Sequence, residues 1–199
     1  MMSTPLKNPG NSHPPLRNVT GVILAGGKSS RYGHNKALVE FEGMRLIDRT
    51  ATIMRAIFDH VILVTNTPHE YAYLGLPMFR DLIPGLGPLG GVYTGLEMTT
   101  NETGFFVACD MPFLNPGLIL HMVELRGSYD AVVPRIGRLL EPLHALYSRS
   151  CLPAIKDLIR CREYQIFLFY PRIRVRYLEK EGIQAFDPQL RVFFNINAP

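Results

Sequence analysis

Five short, nearly continuous apolar runs recur along the chain: Val19 to Ala25, Val61 to Thr65, Phe105 to Ala108, Ala131 to Pro134 and Leu143 to Tyr147. Runs of that length with little polar alternation predict strands covered on both faces. Between the first two, Ile47, Ala51, Met54 and Phe58 repeat at helical spacing, and Leu118, Ile119, Met122, Val123 and Leu125 do so later. Strand, helix, strand is the order of a βαβ unit, so the pattern predicts an α/β fold, a mostly parallel sheet between layers of crossover helices. Ligands of such open sheets bind beyond the carboxyl ends of the strands. That rule points to Gly26 onwards, Asn66, the stretch from Cys109 to Pro112 and the turn after Pro134.

Elsewhere the pattern is less regular. From Asp81 to Gly95, Pro84, Gly85, Gly87, Pro88, Gly90 and Gly91 make a loop, with a helix expected after Gly90. Leu152, Ile155, Leu158 and Ile159 predict a short amphipathic helix, and Ile173, Val175 and Tyr177 alternate with Arg172, Arg174 and Arg176 as in a half-exposed strand. Residues 1–18, rich in Pro, Asn and Ser, read as a loose tail ahead of one domain over residues 19–199.

Composition narrows the class. Of 199 residues 47% are hydrophobic and 19% charged, the balance of a chain able to bury a core. A net charge of +4 without a basic block argues against a general nucleic-acid surface and suits a small anionic substrate. Three cysteines, Cys109, Cys151 and Cys161, without C-x-x-C spacing imply reduced thiols. No apolar run approaches the roughly 20 residues that span a bilayer, and the expected location is the cytoplasm.

The chemistry begins after the first predicted strand, in L-A-G-G-x-S-x-R-x-G-x-x-K: Leu24, Ala25, Gly26, Gly27, Ser29, Arg31, Gly33 and Lys36. Neither the P-loop spacing nor the dinucleotide fingerprint G-x-G-x-x-G fits it. Gly26 and Gly27 allow positive φ and close approach, so that consecutive backbone N–H groups form an anion nest. Arg31 adds a bidentate guanidinium and Lys36 a point charge, and together these describe a polyphosphate cradle.

That signature resembles the molybdenum cofactor guanylyltransferases, the MobA-type nucleotidyltransferases. Further matches are "DLIPGLGPLGGVYTGLE" from Asp81, "FFVACDMPFL" from Phe105, "EPLHALYSRSCLPAI" from Glu141 and the closing "FFNINAP". The departures are Asn35, where the family usually has Asp, and Tyr32, where it usually has Met. The resemblance implies a three-layer α/β/α sandwich with the glycosyltransferase-A-like, nucleotide-diphospho-sugar transferase fold. It implies binding of GTP through Leu24, Ala25, Gly26, Gly27, Lys36, Asp81 and Asp110, with Mg²⁺ on Asp110 and catalysis by Arg31, Lys36 and Asp110. The reaction implied is transfer of GMP from GTP to molybdenum-bound molybdopterin with release of diphosphate. Cofactor maturation proteins and apo-molybdoenzymes are the implied partners.

Read from the residues alone, Asp110 follows a buried run and precedes Met111 and Pro112, a position suited to a hard cation and equally to capping a turn or the helix near Leu118. Asp81 likewise suits a turn or a ligand. His144, inside an apolar run, reads as a hydrogen-bonded core histidine, and Arg160, Arg162, Arg172, Arg174 and Arg176 as a solvated face or, alternatively, as a surface for the anionic pterin or a protein partner. No candidate nucleophile or general base stands out, which fits direct nucleotidyl transfer. The competing readings are a cytidylyltransferase of the same cofactor, a sugar-phosphate nucleotidyltransferase and a non-catalytic cofactor carrier.

Overall fold

The computed structural model describes residues 14–26 and 35–196. Its centre is β1 (Leu16–Leu24), flanked in parallel by β4 (Phe58–Val64) and β6 (Thr103–Ala108). The full sheet adds β5 (Met78–Phe79), β7 (Ala131–Ile136), β8 (Leu139–Leu140), β9 (His144–Ser148) and β10 (Val175–Glu179), while β2 (Glu40–Phe41) and β3 (Met44–Arg45) form a separate hairpin. The strand order is β10-β7-β9-β6-β1-β4-β5, with β8 on β7.

Side chains alternate across β1. Val19 and Ile23 join a core with α1 (Leu46–Ile57) and α3 (Pro116–Leu125), whereas Val22 and Leu24 join one with α2 (Pro88–Met98) and α4 (Leu152–Arg160). Helices cover both faces, which gives the three layers expected. The short α5 (Lys180–Gln184) follows β10 and buries Ile183.

One expectation changes and two open points are decided. The strand containing Leu143 to Tyr147 is β9, antiparallel to both β6 and β7; the few residues after β7 cannot make the crossover a parallel neighbour requires. The helix expected after Gly90 begins at Pro88, because proline at the first helical position sacrifices only an N–H that would be unpaired anyway. It continues through Gly90, Gly91 and Gly95. Asn115, not Asp110, caps α3, its Oδ1 accepting from Leu118 N at 3.0 Å.

The alternation near the C-terminal end is observed: Ile173, Val175 and Tyr177 are half-buried and Arg172, Arg174 and Arg176 exposed. Those arginines lie beside local partners, Arg172 by Asp157, Arg174 by Asp130, and Arg176 over the Tyr129 ring.

His144 is wholly buried, as expected, yet neither ring nitrogen has a hydrogen-bond partner among the described residues. It lies edge-on to Phe105 and Phe193, with ring centroids at 5.2 and 5.4 Å. Burial pulls its pKa down to about 3. The unfolded chain therefore takes a proton near pH 6.5 that the folded chain refuses until about pH 3, and stability is lost as pH falls through that window. From pH 7 to pH 5 this one group accounts for about 2 kcal/mol. Urea denaturation of His144→Phe at the two pH values should show a loss smaller by about that amount; an unchanged loss would show that His144 titrates normally.

Candidate active site

The carboxyl ends of β1, β4, β5 and β6 form one rim of the sheet. At the end of β1, Leu24 and Ala25 are buried and tied to both neighbours: Ala25 N donates to Val64 O at 2.9 Å and Cys109 N to Leu24 O at 3.1 Å. Gly26 then emerges exposed, and a Cβ added to it would meet no atom within 4 Å. It is not among the positive-φ residues, so its glycine supplies open space for a close approach, not the left-handed turn expected. Gly27 and Arg31 lie outside the described residues.

The chain is described again at Asn35, which caps a short 3₁₀ turn over Lys36–Leu38 by accepting from Ala37 N at 3.1 Å. The Asn35 amide also donates to Glu70 at 2.8 Å and to the Tyr71 hydroxyl at 2.6 Å. An aspartate could not donate to Glu70, so the departure from the usual Asp is matched to its neighbour. Burial pushes the Tyr71 phenol up to about 12, which keeps its hydroxyl protonated at the base of this turn. Asn35 thereby anchors the residue that carries the Lys36 ammonium.

Asp110 stands in the turn that ends β6, between buried Cys109 and buried Met111. The Thr50 hydroxyl lies 3.5 Å from Cys109 O, and Ile196 N donates to Asp110 O at 3.1 Å. Ile196, in the closing "NIN" motif, therefore returns to the carboxylate's own peptide, with exposed Asn195 next to it in the chain. Burial raises the Asp110 pKa, and its own backbone and the nearby charge of Lys36 only partly oppose that. The fold thus brings Lys36 and Asp110 into electrostatic reach across the ends of β1 and β6.

Asp81 follows β5 and is held by Asn66, at the end of β4, in a reciprocal pair. Asn66 Nδ2 donates to Asp81 Oδ2 at 2.8 Å, and Asp81 N donates to Asn66 Oδ1 at 3.1 Å. One residue on, Leu82 N donates to Thr94 Oγ1 at 3.0 Å, tying the loop to α2. Gly85 and Gly87 have positive φ, 86° and 60°, and turn the chain into that helix, whose first N–H groups receive no side-chain cap. Gly91 packs on Leu24 and Gly95 on Val22 and Phe106, so α2 runs back along β1 with its amino end at the rim. A helix amino terminus favours anions through its dipole. The sequence marked Asn66 by position but not the lock it forms, since pairing across 15 residues depends on β4 and β5 being neighbours.

A rim with a glycine opening, a lysine, a half-desolvated carboxylate and a helix amino terminus suits a polyphosphate. The model of the MobA-like NTP transferase domain matches residues 21–171. A "Probable molybdenum cofactor guanylyltransferase" of Pelotomaculum thermopropionicum is 41% identical over 180 residues, covering 90% of this chain and 88% of the relative. The "Molybdenum cofactor guanylyltransferase" of Desulfosudis oleivorans is 37% identical over 181 residues, with 90% of each covered. The chain belongs to the molybdenum cofactor guanylyltransferase family.

Membership makes it a nucleotidyltransferase of molybdenum cofactor biosynthesis. The crystal structure of molybdopterin-guanine dinucleotide biosynthesis protein A from Archaeoglobus fulgidus superposes with a TM-score of 0.78 at 26% identity, covering 90% of this chain and 93% of that one. A cytidylyltransferase from Thermus thermophilus, at 16% identity and a TM-score of 0.65, shares the nucleotide-diphospho-sugar transferase fold.

Proposed function

We propose that this chain binds GTP along the rim from Gly26 to Asp81 and transfers its GMP moiety to molybdenum-bound molybdopterin, releasing diphosphate. The observation that carries the site assignment is that Lys36 lies within electrostatic reach of Asp110, a carboxylate whose pKa burial has raised. Such a carboxylate gains from a second positive charge, and Mg²⁺ characteristically takes one or two carboxylates plus substrate phosphates. Among the described residues no three His, Cys, Asp or Glu side chains converge on a metal position, so Asp110 would hold the ion together with the phosphates. When bound, Mg²⁺ neutralises charge on the phosphate oxygens.

The chain's own residues have a limited task. The acceptor is a phosphate monoester with a second pKa near 6, ionised at neutral pH, so attack in line on the α-phosphorus requires no general base. What is required is to hold two mutually repelling anions and to stabilise charge on the equatorial oxygens. Lys36, Arg31 and the amino end of α2 serve this. Asp81, locked by Asn66, orients the nucleoside. The product would pass to maturation proteins and apo-molybdoenzymes in the cytoplasm; among the described residues no helix is long and apolar enough to cross a membrane.

Diphosphate release with Mg²⁺ and molybdenum-loaded molybdopterin, compared across GTP, CTP, ATP and UTP, tests the reading. Release with GTP alone is expected, and Lys36→Ala should lower kcat/KM for GTP by about 10²-fold. Preference for CTP would assign the cytidylyl reaction, and pterin retention without release would assign a carrier.

A further inference from the structure

Glu141 begins the turn between β8 and β9. Its side chain is half-buried, and among the described residues it has neither a hydrogen bond nor an ion pair. Its backbone is held on every side: Glu141 N donates to Pro134 O at 3.1 Å, His144 N to Glu141 O at 3.2 Å, and Ala108 N to Leu143 O at 3.0 Å. Burial, with no opposing partner, raises its pKa. A carboxylate on rigid backbone, partly desolvated and unpaired, is unfavourable in the free protein and awaits donors from elsewhere.

The sheet says which ligand could bring them. His144 at the start of β9 lies opposite Val107 near the end of β6, so Glu141 shares the rim with Asp110. In the order β10-β7-β9-β6-β1-β4-β5, Gly26 and Asp81 follow β1 and β5 on one side of Asp110, while Glu141 lies on the other, between β7 and β9. The nucleotide occupies the first side, which leaves the second to the acceptor. Half-buried Pro142 and Leu143 put apolar surface next to the carboxylate.

We infer that Glu141 receives the pyrimidinone edge of the pterin acceptor, its two oxygens accepting from the ring N3–H and the 2-amino group. This deepens the preceding reading and rests on it for the pterin. Two parallel N–H donors match an ionised carboxylate. Guanine presents the same pair of donors, and the sheet order favours the pterin because it sets Glu141 apart from Asp81.

The test uses the full chain with pterin and with lumazine, which carries an oxo group where pterin has the amine, both measured by equilibrium dialysis. The wild type should retain pterin at least about tenfold more tightly than lumazine, because an oxo group turns a hydrogen bond into a repulsion. Glu141→Gln should erase that preference, melt no lower than the wild type, and leave the ratio of kcat/KM for GTP over inosine triphosphate unchanged. Equal or undetectable retention of the two probes by the wild type overturns the assignment, as does a preference that survives Glu141→Gln. Loss of the GTP-over-ITP ratio with the pterin preference intact would transfer Glu141 to guanine. Pterin preference in a chain that releases no diphosphate would leave Glu141 in place and refute the transferase reading instead.

Discussion

Asp110→Ala should reduce guanylyl transfer by about 10³-fold or more while leaving the thermal midpoint unchanged or slightly higher. The loss follows from position. In the proposed reading Asp110 is the carboxylate at the junction of the two substrates' sides of the rim, and its removal would leave Lys36 to offset the charge of two anions without a metal held between them. The stability expectation follows from the sign of the pKa shift. A carboxyl whose pKa burial raises is charged at neutral pH at a cost to the folded state, so replacing it removes a penalty and no ion pair. Its backbone contacts, to Ile196 and through Cys109 to Leu24, are independent of the side chain. Diphosphate release at saturating Mg²⁺ together with a melting curve checks both halves. Activity within tenfold of wild type would remove Asp110 from the metal position; a collapsed midpoint would make it structural.

Gly95→Ala should have the opposite profile, a large loss of stability from a residue that touches no substrate. A Cβ there would collide with Phe106 Cε1 and lie 2.8 Å from Val22 Cγ1. Both side chains are fully buried between α2 and the sheet, so neither can swing away. Alanine ordinarily gains about 1 kcal/mol over glycine inside a helix, but forcing a methyl into a filled core costs about 1–3 kcal/mol, and more when strands must separate. The second effect wins, and the midpoint should fall by several degrees, since each kcal/mol moves a chain of this size by about 2–4 °C. Because α2 delivers the loop from Asp81 to Gly87 to the rim, the KM for GTP should rise in the same variant. A midpoint equal to or above wild type would show that α2 can lift off the sheet at no cost.

The acidic and basic ends of the site were legible to different degrees. Asp110 could be placed because a buried run, an aspartate and a proline in succession mark the end of a strand whatever lies next to it. Its partners could not be placed, since Lys36 comes from 74 positions earlier and Ile196 from 86 later, and proximity across such separations is a property of strand order. Arg31 and Gly27 belong to the part of the cradle outside the described residues. His144 was legible as buried but not as unbonded, because an apolar run reports exclusion from water and says nothing of which polar groups are excluded with it. Glu141 stood in the sequence only as the first residue of a motif shared with the family, and the surrounding turn shows it to be a half-buried carboxylate lacking a partner among the described residues.

The local code thus determined the central strands, their covering helices, the glycine opening after β1 and the family, since apolar periodicity and contiguous motifs act over a few residues and survive without knowledge of the whole. Tertiary structure alone decided that β9 runs antiparallel, that Asn66 locks Asp81, that Asn35 must be an amide beside Glu70, and that the rim divides at Asp110 into two sides. Each of these depends on which segments become neighbours. That choice is made by the burial of two apolar cores against one sheet, and no short stretch of the chain contains it.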